Sequence, residues 1–191
     1  MGVQEVGTAA RGLRAPDGTR LLRQTYEPAA LPHGVVVLPQ RVLPDDWGGS
    51  FKELVRLEGG VVQLPQLRER GIEHRPAQLN VSVVSPGTRK FWHVHPSQHE
   101  MWAIGLGQLN AGLVDCREQS PTYGLRAKVV LTPQTALYIP SGVAHGYANE
   151  SGATALLIYL PDRHWSGGDD TEEWRIDPQA LPFDFVLAET L

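Results

Sequence analysis

The stretch GTRKFWHVHPSQHEMWAIGLG, residues 87–107, decides how the chain is read. His93 and His95 stand two apart, and Glu100 follows five residues after His95. Side chains two apart on a strand point to the same face, so a strand here projects both imidazoles together. A short turn over residues 96–99 then returns the chain and presents Glu100 beside them. A second stretch, IPSGVAHGYAN at residues 139–149, supplies His145 between turn residues and a strand. Three imidazoles and a carboxylate on neighbouring strands make a pocket for a divalent transition metal. His93, His95, Glu100 and His145 are therefore the expected ligands of one such ion. Fe, Mn, Ni and Zn all accept this donor set, and the sequence does not choose among them. Four protein ligands leave one or two positions of a five- or six-coordinate site open, where a substrate carbonyl or enediol can bind and be polarised. His99 is read as a turn residue, with two sharper alternatives: that it replaces Glu100 in a three-histidine site, or that it serves as a base.

Both stretches carry a family pattern. Gly87, His93, His95, Glu100 and Gly107 fall in the register Gly-x5-His-x-His-x4-Glu-x6-Gly, and Pro140, Gly142, His145 and Asn149 in Pro-x-Gly-x-x-His-x3-Asn. They resemble the two motifs of the cupin superfamily. One position departs: Gln134 stands where a glycine is usual. The resemblance implies an all-β fold, a single-domain antiparallel jelly-roll barrel with the metal inside.

Composition agrees with that class. A chain of 191 residues is long enough for one domain with a real core. Frequent Gly (20) and Pro (15) punctuate short runs of Val, Leu and Ile, a texture that favours many turns between strands. A net charge of −4 leaves no basic footprint for nucleic acid. The single cysteine, Cys116, excludes an intrachain disulfide. No apolar run approaches the ~20 residues of a membrane span, and the amino terminus lacks an apolar signal core. The expectation is a cytoplasmic protein with a small-molecule substrate and no membrane or nucleic-acid partner.

Residues 1–32 read as a polar arm, carrying Arg11, Arg14, Arg20 and Arg23, and residues 33–191 as the barrel with a carboxy-terminal extension. The arm is either solvated or a strand exchanged across a homodimer. Residues 78–84 alternate, with Leu79, Val81 and Val83 on one face and Asn80 and Ser82 on the other. His74 lies in a charged stretch and reads as an exposed loop histidine. The run ALLIYL, residues 155–160, reads as a central strand, and Phe183 and Phe185 of the tail as packing outside the barrel. Strand parity places Arg89 with His93 and His95, and Lys90 with Trp92. Arg89 is thus the expected partner for an anionic substrate group.

Further segments point to a narrower kinship. VDCREQSPTYG at residues 114–124, IPSGVAHGY at residues 139–147, Gln78 with Asn80, and Trp174 with Asp177 and Pro178 resemble motifs of the dTDP-4-dehydrorhamnose 3,5-epimerase family, itself a cupin-type barrel. The likeness covers residues 43–180 and implies that His93 occupies the position of that family's catalytic base. The departures imply a changed pocket. Gly48 stands where the family has an Arg that holds the nucleotide diphosphate, and Lys90 replaces a second Arg. The general-acid tyrosine falls near Arg163 and His164, no counterpart of the late Asp that orients the base is found, and Glu100 replaces a usual Lys in a family that typically needs no metal. The reading is an epimerase-like scaffold holding a metallocupin pocket. It implies an isomerase or epimerase acting on a keto-sugar or related carbonyl compound. The alternatives are an Fe-dependent oxygenase and a non-enzymatic small-ligand binding module. A metal-bound His93 has no lone pair left to act as a base, so the inherited epimerase mechanism is not expected to operate.

Overall fold

A computed structural model describes residues 9–10, 13–14, 29–165 and 173–181. The strand exchange expected of the arm and the packing of Phe183 and Phe185 fall outside these residues, apart from a small ribbon of β1 (Ala9–Ala10) with β2 (Leu13–Arg14). The strands that follow are β3 (Val36–Pro39), β4 (Leu43–Pro44), β5 (Ser50–Phe51), β6 (Leu57–Glu58) and β7 (Val61–Val62). After a single-turn helix, α1 (Pro65–Arg68), come β8 (Asn80–Val84), β9 (Arg89–Val94), β10 (Glu100–Leu106) and β11 (Leu109–Asp115). The last are β12 (Arg126–Leu131), β13 (Thr135–Ile139), β14 (Val143–Ala148), β15 (Ala155–Pro161) and β16 (Trp174–Arg175). They build two five-stranded antiparallel sheets, ordered β3-β13-β10-β15-β8 and β12-β11-β14-β9-β16. The chain is all-β with jelly-roll architecture, as its motifs imply. No helix among the described residues is long and apolar enough to cross a membrane.

Strand periodicity explains the layers. In β10 the side chains of Glu100, Trp102 and Ile104 alternate with Met101 and Ala103. Trp102 and Ile104 join Leu109, Leu113, Leu137 and Leu157 in the core between the sheets. Met101 and Ala103 join Leu38, Ala136 and Tyr138 on the outer face of the first sheet, beneath Val62 and Leu67 of the segment that precedes β8. Because both faces are covered, β10 is buried from Glu100 to Ile104 and β14 along its whole length. This cover also corrects the expectation for His74. The loop crosses the outer face, so His74 is buried, donates from Nε2 to the Leu160 carbonyl at 2.8 Å and stands edge-on to Tyr138. A third cluster, Trp92, Val114 and Ala144 with Phe91, Ile176 and Leu181, covers the outer face of the second sheet.

One irregularity sets the cavity face of β9. His93 pairs with His145, but Lys90 pairs with Tyr147. Three steps along β9 thus match two along β14, a bulge that places both Phe91 and Trp92 on the outer side. Gly146 sits opposite. A Cβ there would lie 2.5 Å from the Lys90 carbonyl oxygen and would overlap the Phe91 ring. The Gly146→Ala variant is expected to lose about 1–3 kcal/mol of stability, the usual cost of overpacking. Chemical denaturation of wild type and variant side by side checks this.

A second lock closes the turn between β11 and β12. Asp115 is buried, and its carboxylate accepts from Arg117 Nε and Nη2 at 2.8 Å each, from Ser120 Oγ at 2.5 Å and from Thr122 Oγ1 at 2.6 Å. Arg117 also donates to the His33 carbonyl at 2.6 Å, and Thr122 Oγ1 accepts from the His33 amide at 2.7 Å, which ties the approach to β3 onto this turn. This is the physical content of the Asp-x-Arg-x-x-Ser-Pro-Thr motif. Burial alone would raise the Asp115 pKa, but the bonds from Arg117, Ser120 and Thr122 outweigh it and hold it well below the ordinary carboxylate range. Its folded-state pKa lies below its unfolded one, so the stabilisation is present above about pH 4 and is lost progressively below it. The Asp115→Asn variant should unfold about 2–4 kcal/mol more easily at neutral pH, as expected when a buried charge pair is broken. The gap should narrow as urea unfolding is repeated below about pH 4.

Candidate active site

Between the sheets, beside the apolar core, lies a cavity of about 510 Å³. One wall comes from the first sheet and its flanks: Gln78, Asn80 and Ser82, Glu100 and Trp102, and Tyr159. The other comes from the second sheet: Lys90, His93, His95, His145 and Tyr147. His164, Trp165 and Glu173 complete the lining. The alternation of β8 has an unusual sense. Its polar residues Asn80 and Ser82 face the cavity, while Leu79, Val81 and Val83 are exposed.

His93 is organised by a partner that the sequence reading missed. Its Nδ1 lies 2.5 Å from Glu173 Oε1. Glu173 immediately precedes β16, whose pairing with β9 sets Trp174 opposite Val94 and Arg175 opposite His93. A carboxylate accepts, so Nδ1 carries the hydrogen and the lone pair resides on Nε2. His93 Nε2 is buried and has no hydrogen-bond partner. Burial, helped by the charge of Lys90, lowers the His93 pKa to about 4 against the opposing pull of Glu173, so the ring is neutral at neutral pH. No counterpart of the family's late Asp is found in the sequence, but a carboxylate does orient this histidine: Glu173 does so. Its one signal in the sequence is its place directly before Trp174, which opens the matched Trp-x-x-Asp-Pro segment.

The other expected ligands converge separately. Ligand atoms of His95, Glu100 and His145 all lie within 4.8 Å of one another, and all three residues are buried. His93 is not part of this group. Glu100 bridges the sheets, with Oε1 at 3.4 Å from His95 Nε2 and Oε2 at 3.7 Å from His145 Nε2. Its oxygens also accept from Gln98 Nε2 at 2.7 Å and from Trp102 Nε1 at 2.5 Å. Burial pushes the Glu100 pKa up, but bonds from His95 and Trp102 and the charges of the two imidazoles bring it to about 2, so it is ionised. His145 donates from Nδ1 to the Val143 carbonyl at 2.9 Å, and burial lowers its pKa. In the neutral ring that bond leaves the Nε2 lone pair directed at an ionised carboxylate oxygen. The carboxylate thus needs positive charge beside it, from protons on the imidazoles or from a cation that takes their place. A histidine anchored through its second nitrogen is typical of metal ligands. Two imidazoles and one carboxylate therefore fit a divalent transition metal.

Two expected residues lie elsewhere. His99 immediately precedes β10, so its parity is opposite to that of Glu100. Its Nδ1 lies 2.8 Å from the Tyr138 hydroxyl, and its ring stacks on Tyr138 behind the first sheet. It neither replaces Glu100 nor faces the cavity. Arg89 pairs with Glu150 at 2.9 Å on the surface, and Lys90 takes the cavity position instead. The bulge in β9 is the reason, because it adds one residue to the parity count. Of the two residues at the position implied for the general acid, His164 lines the cavity, while Arg163 donates to the Ser97 carbonyl at 3.1 Å.

With this geometry, comparison with known proteins is informative. The sequence profile of the dTDP-4-dehydrorhamnose 3,5-epimerase family matches residues 29–187. The spore coat polysaccharide biosynthesis protein SpsL of Bacillus subtilis (strain 168) is 30% identical over 141 residues, spanning 72% of this chain and 85% of that protein. The crystal structure of a dTDP sugar isomerase from Desulfovibrio desulfuricans G20 superposes with a TM-score of 0.67 at 28% identity, covering 84% of this chain and 98% of the other. NovW, a 4-keto-6-deoxy sugar epimerase from the novobiocin cluster of Streptomyces spheroides, gives a TM-score of 0.65 at 26% identity, covering 78% of this chain and 72% of its own. The profile match alone covers well over half of the sequence, and the chain belongs to the dTDP-4-dehydrorhamnose 3,5-epimerase family.

Proposed function

We propose that this protein is an epimerase that inverts a carbon next to the carbonyl group of a keto-sugar, with His93 as the base. The observation that carries this reading is the His93–Glu173 pair. Glu173 fixes the tautomer, and the unpartnered Nε2 lone pair belongs to the cavity wall. A positioned neutral imidazole removes a proton made acidic by the adjacent carbonyl, and Glu173 stabilises the imidazolium that results. His93 is free for this because the clustered ligand group does not include it. Membership of the epimerase family and the likeness to NovW, an enzyme of 4-keto-6-deoxy sugars, support the substrate class. Gln78, Asn80, Ser82 and Gln98 offer neutral hydrogen-bonding groups suited to sugar hydroxyls. Gly48, where the family's diphosphate-holding Arg would stand, lies at positive φ in a turn with nothing within 4 Å of a Cβ placed there. The nucleotide end of the substrate, if there is one, is therefore held differently.

His95, Glu100 and His145 would hold one divalent transition metal in the same cavity. Bound there, the ion would supply Lewis-acid polarisation of a carbonyl oxygen. The protein's own residues do the rest. Glu100 holds its charge through Trp102 and Gln98, and Trp102 walls the site edge-on to the His145 and Tyr147 rings.

Two measurements test this reading. In D₂O with a panel of 4-keto-6-deoxy sugars, nucleotide-linked and free, wild type should wash deuterium into the carbon beside the carbonyl. His93→Gln should slow wash-in by about 10²–10⁴-fold, and Glu173→Gln by about tenfold or more. Undiminished wash-in in both variants would remove His93 from the chemistry. Separately, elemental analysis of purified wild type should find close to one divalent transition metal per chain. That metal should be lost in His95→Ala and His145→Ala but kept in His93→Gln. Metal-free wild type that takes up none on dialysis would sink the metal site.

A further inference from the structure

The cavity wall carries a cation that the chemistry above leaves unused. The bulge in β9 turns Lys90 onto the same wall as His93, three residues along the strand. Lys90 lies close enough for its charge to weigh against protonation of the His93 ring. Among the described residues no carboxylate pairs with it. Glu150 is taken by Arg89, Glu173 by His93 and Arg175, and Glu100 by His95 and His145. Register sets Tyr147 of β14 directly opposite Lys90. Tyr147 is buried, and its hydroxyl is hydrogen-bonded across the cavity to Ser82. We propose that Lys90, Tyr147 and Ser82 seat a single carboxylate of the substrate, so that the protein prefers a keto-sugar acid, a keto-uronate, to its neutral counterpart. This inference rests on the reading of the cavity as a keto-sugar site given above.

The donor set fits one negative charge and not two. Lys90 is the single lysine among the described lining residues, and no arginine joins it. A diphosphate is usually gripped by several cations or by the planar fork of arginine. A carboxylate needs less: one ammonium, and hydroxyl hydrogens for its remaining lone pairs. Tyr147 supplies one of these, because burial raises its pKa and it keeps its proton at neutral pH. Ser82 supplies another. The cavity wall already holds two carboxylates, Glu100 and Glu173, each with its own partners. A second negative charge on the ligand would add repulsion that one lysine does not offset.

The place of Lys90 also sets where that charge sits on the sugar. His93 pairs with His145 and Lys90 with Tyr147. The two positions therefore differ by two steps along β14, roughly 7 Å. A carboxylate held there belongs to the sugar itself, near the carbon that His93 addresses, and not to a group at the far end of a linker. Pairing with Lys90 keeps this carboxylate from opposing the charge that grows on the substrate as the proton leaves. Lys90 is a specificity residue in this account. It binds and holds charge, and it takes no part in proton transfer.

The test is titration calorimetry on the protein as purified, with methyl glucuronide, methyl glucoside, glucose 6-phosphate and thymidine diphosphate as probes. Wild type should bind the glucuronide about tenfold more tightly than the glucoside, the scale of one charge-assisted hydrogen bond. That ratio should shrink as salt is raised. Lys90→Gln should remove the preference and leave glucoside binding unchanged, whereas Lys90→Arg should keep most of it. Tyr147→Phe should reduce the preference by a smaller factor. Equal binding of glucuronide and glucoside by wild type overturns the proposal, as does a preference that survives Lys90→Gln. Tighter binding of glucose 6-phosphate or thymidine diphosphate than of the glucuronide, lost in Lys90→Gln, also overturns it and reassigns Lys90 to a phosphate. The titrations involve no turnover, so they stand apart from the wash-in that tests His93. His93→Gln should keep the glucuronide preference. A wild type that shows the preference yet washes in no deuterium counts against the reading of His93 and upholds the carboxylate seat.

Discussion

The hydrogen bond from His93 Nδ1 to Glu173 decides which nitrogen of the ring faces the cavity, and the proposed chemistry follows from that choice. An imidazole free to flip would offer either an acceptor or a donor. Held by a carboxylate at Nδ1, it offers an acceptor alone. The bond depends on features far apart in sequence. The short strand β16 must pair with β9 to bring Glu173 eighty residues back to His93. Leu181, just beyond it, accepts a hydrogen bond from Trp92 Nε1 at 2.9 Å and packs in the same outer cluster. The site is therefore closed by a segment whose own core lies outside the sheets.

A polar cavity inside a small jelly roll removes apolar area from the place where most of the core would otherwise lie. The chain offsets this on its outer faces. Leu38, Met101 and Leu67 are fully buried behind the first sheet, and Trp92 behind the second. Each such side chain is worth roughly 1.5–3 kcal/mol when buried. The sheets that position His93, His95, Glu100 and His145 are thus held by apolar contacts the cavity does not share. This is why substitutions of His95, Glu100 and His145 are expected to spare the fold. It also accounts for the segment between β3 and β8, which has little regular structure but covers the outer face.

Much of this was legible in the sequence. The His-x-His-x4-Glu spacing and the second-motif histidine mark strands and a shared interior, and the structure brings His95, Glu100 and His145 together. Strand parity also separated Asn80 and Ser82 from Leu79, Val81 and Val83, although not which set faces inward. Parity failed where the pleat is interrupted. The bulge opposite Gly146 exchanged Lys90 for Arg89. His99 lies in the turn, as its first reading has it; its parity, opposite to that of Glu100, is what removes the sharper alternatives of ligand or base. Glu173 escapes sequence reading for a different reason. Its contact with His93 spans eighty residues, and no local spacing announces it. His74 looked exposed because a charged neighbourhood says nothing about which sheet face a loop crosses.

The tautomer of His93 in metal-stripped protein at neutral pH tests the central claim most directly. Long-range ¹H–¹⁵N correlation of histidine-labelled protein, with His93 assigned by its disappearance in His93→Gln, reads the two nitrogens separately. The account predicts a protonated, pyrrole-type Nδ1 and an unprotonated, pyridine-type Nε2, with the Nδ1 proton shifted when Glu173 is replaced by Gln. A ring protonated at Nε2, or at both nitrogens, would contradict it.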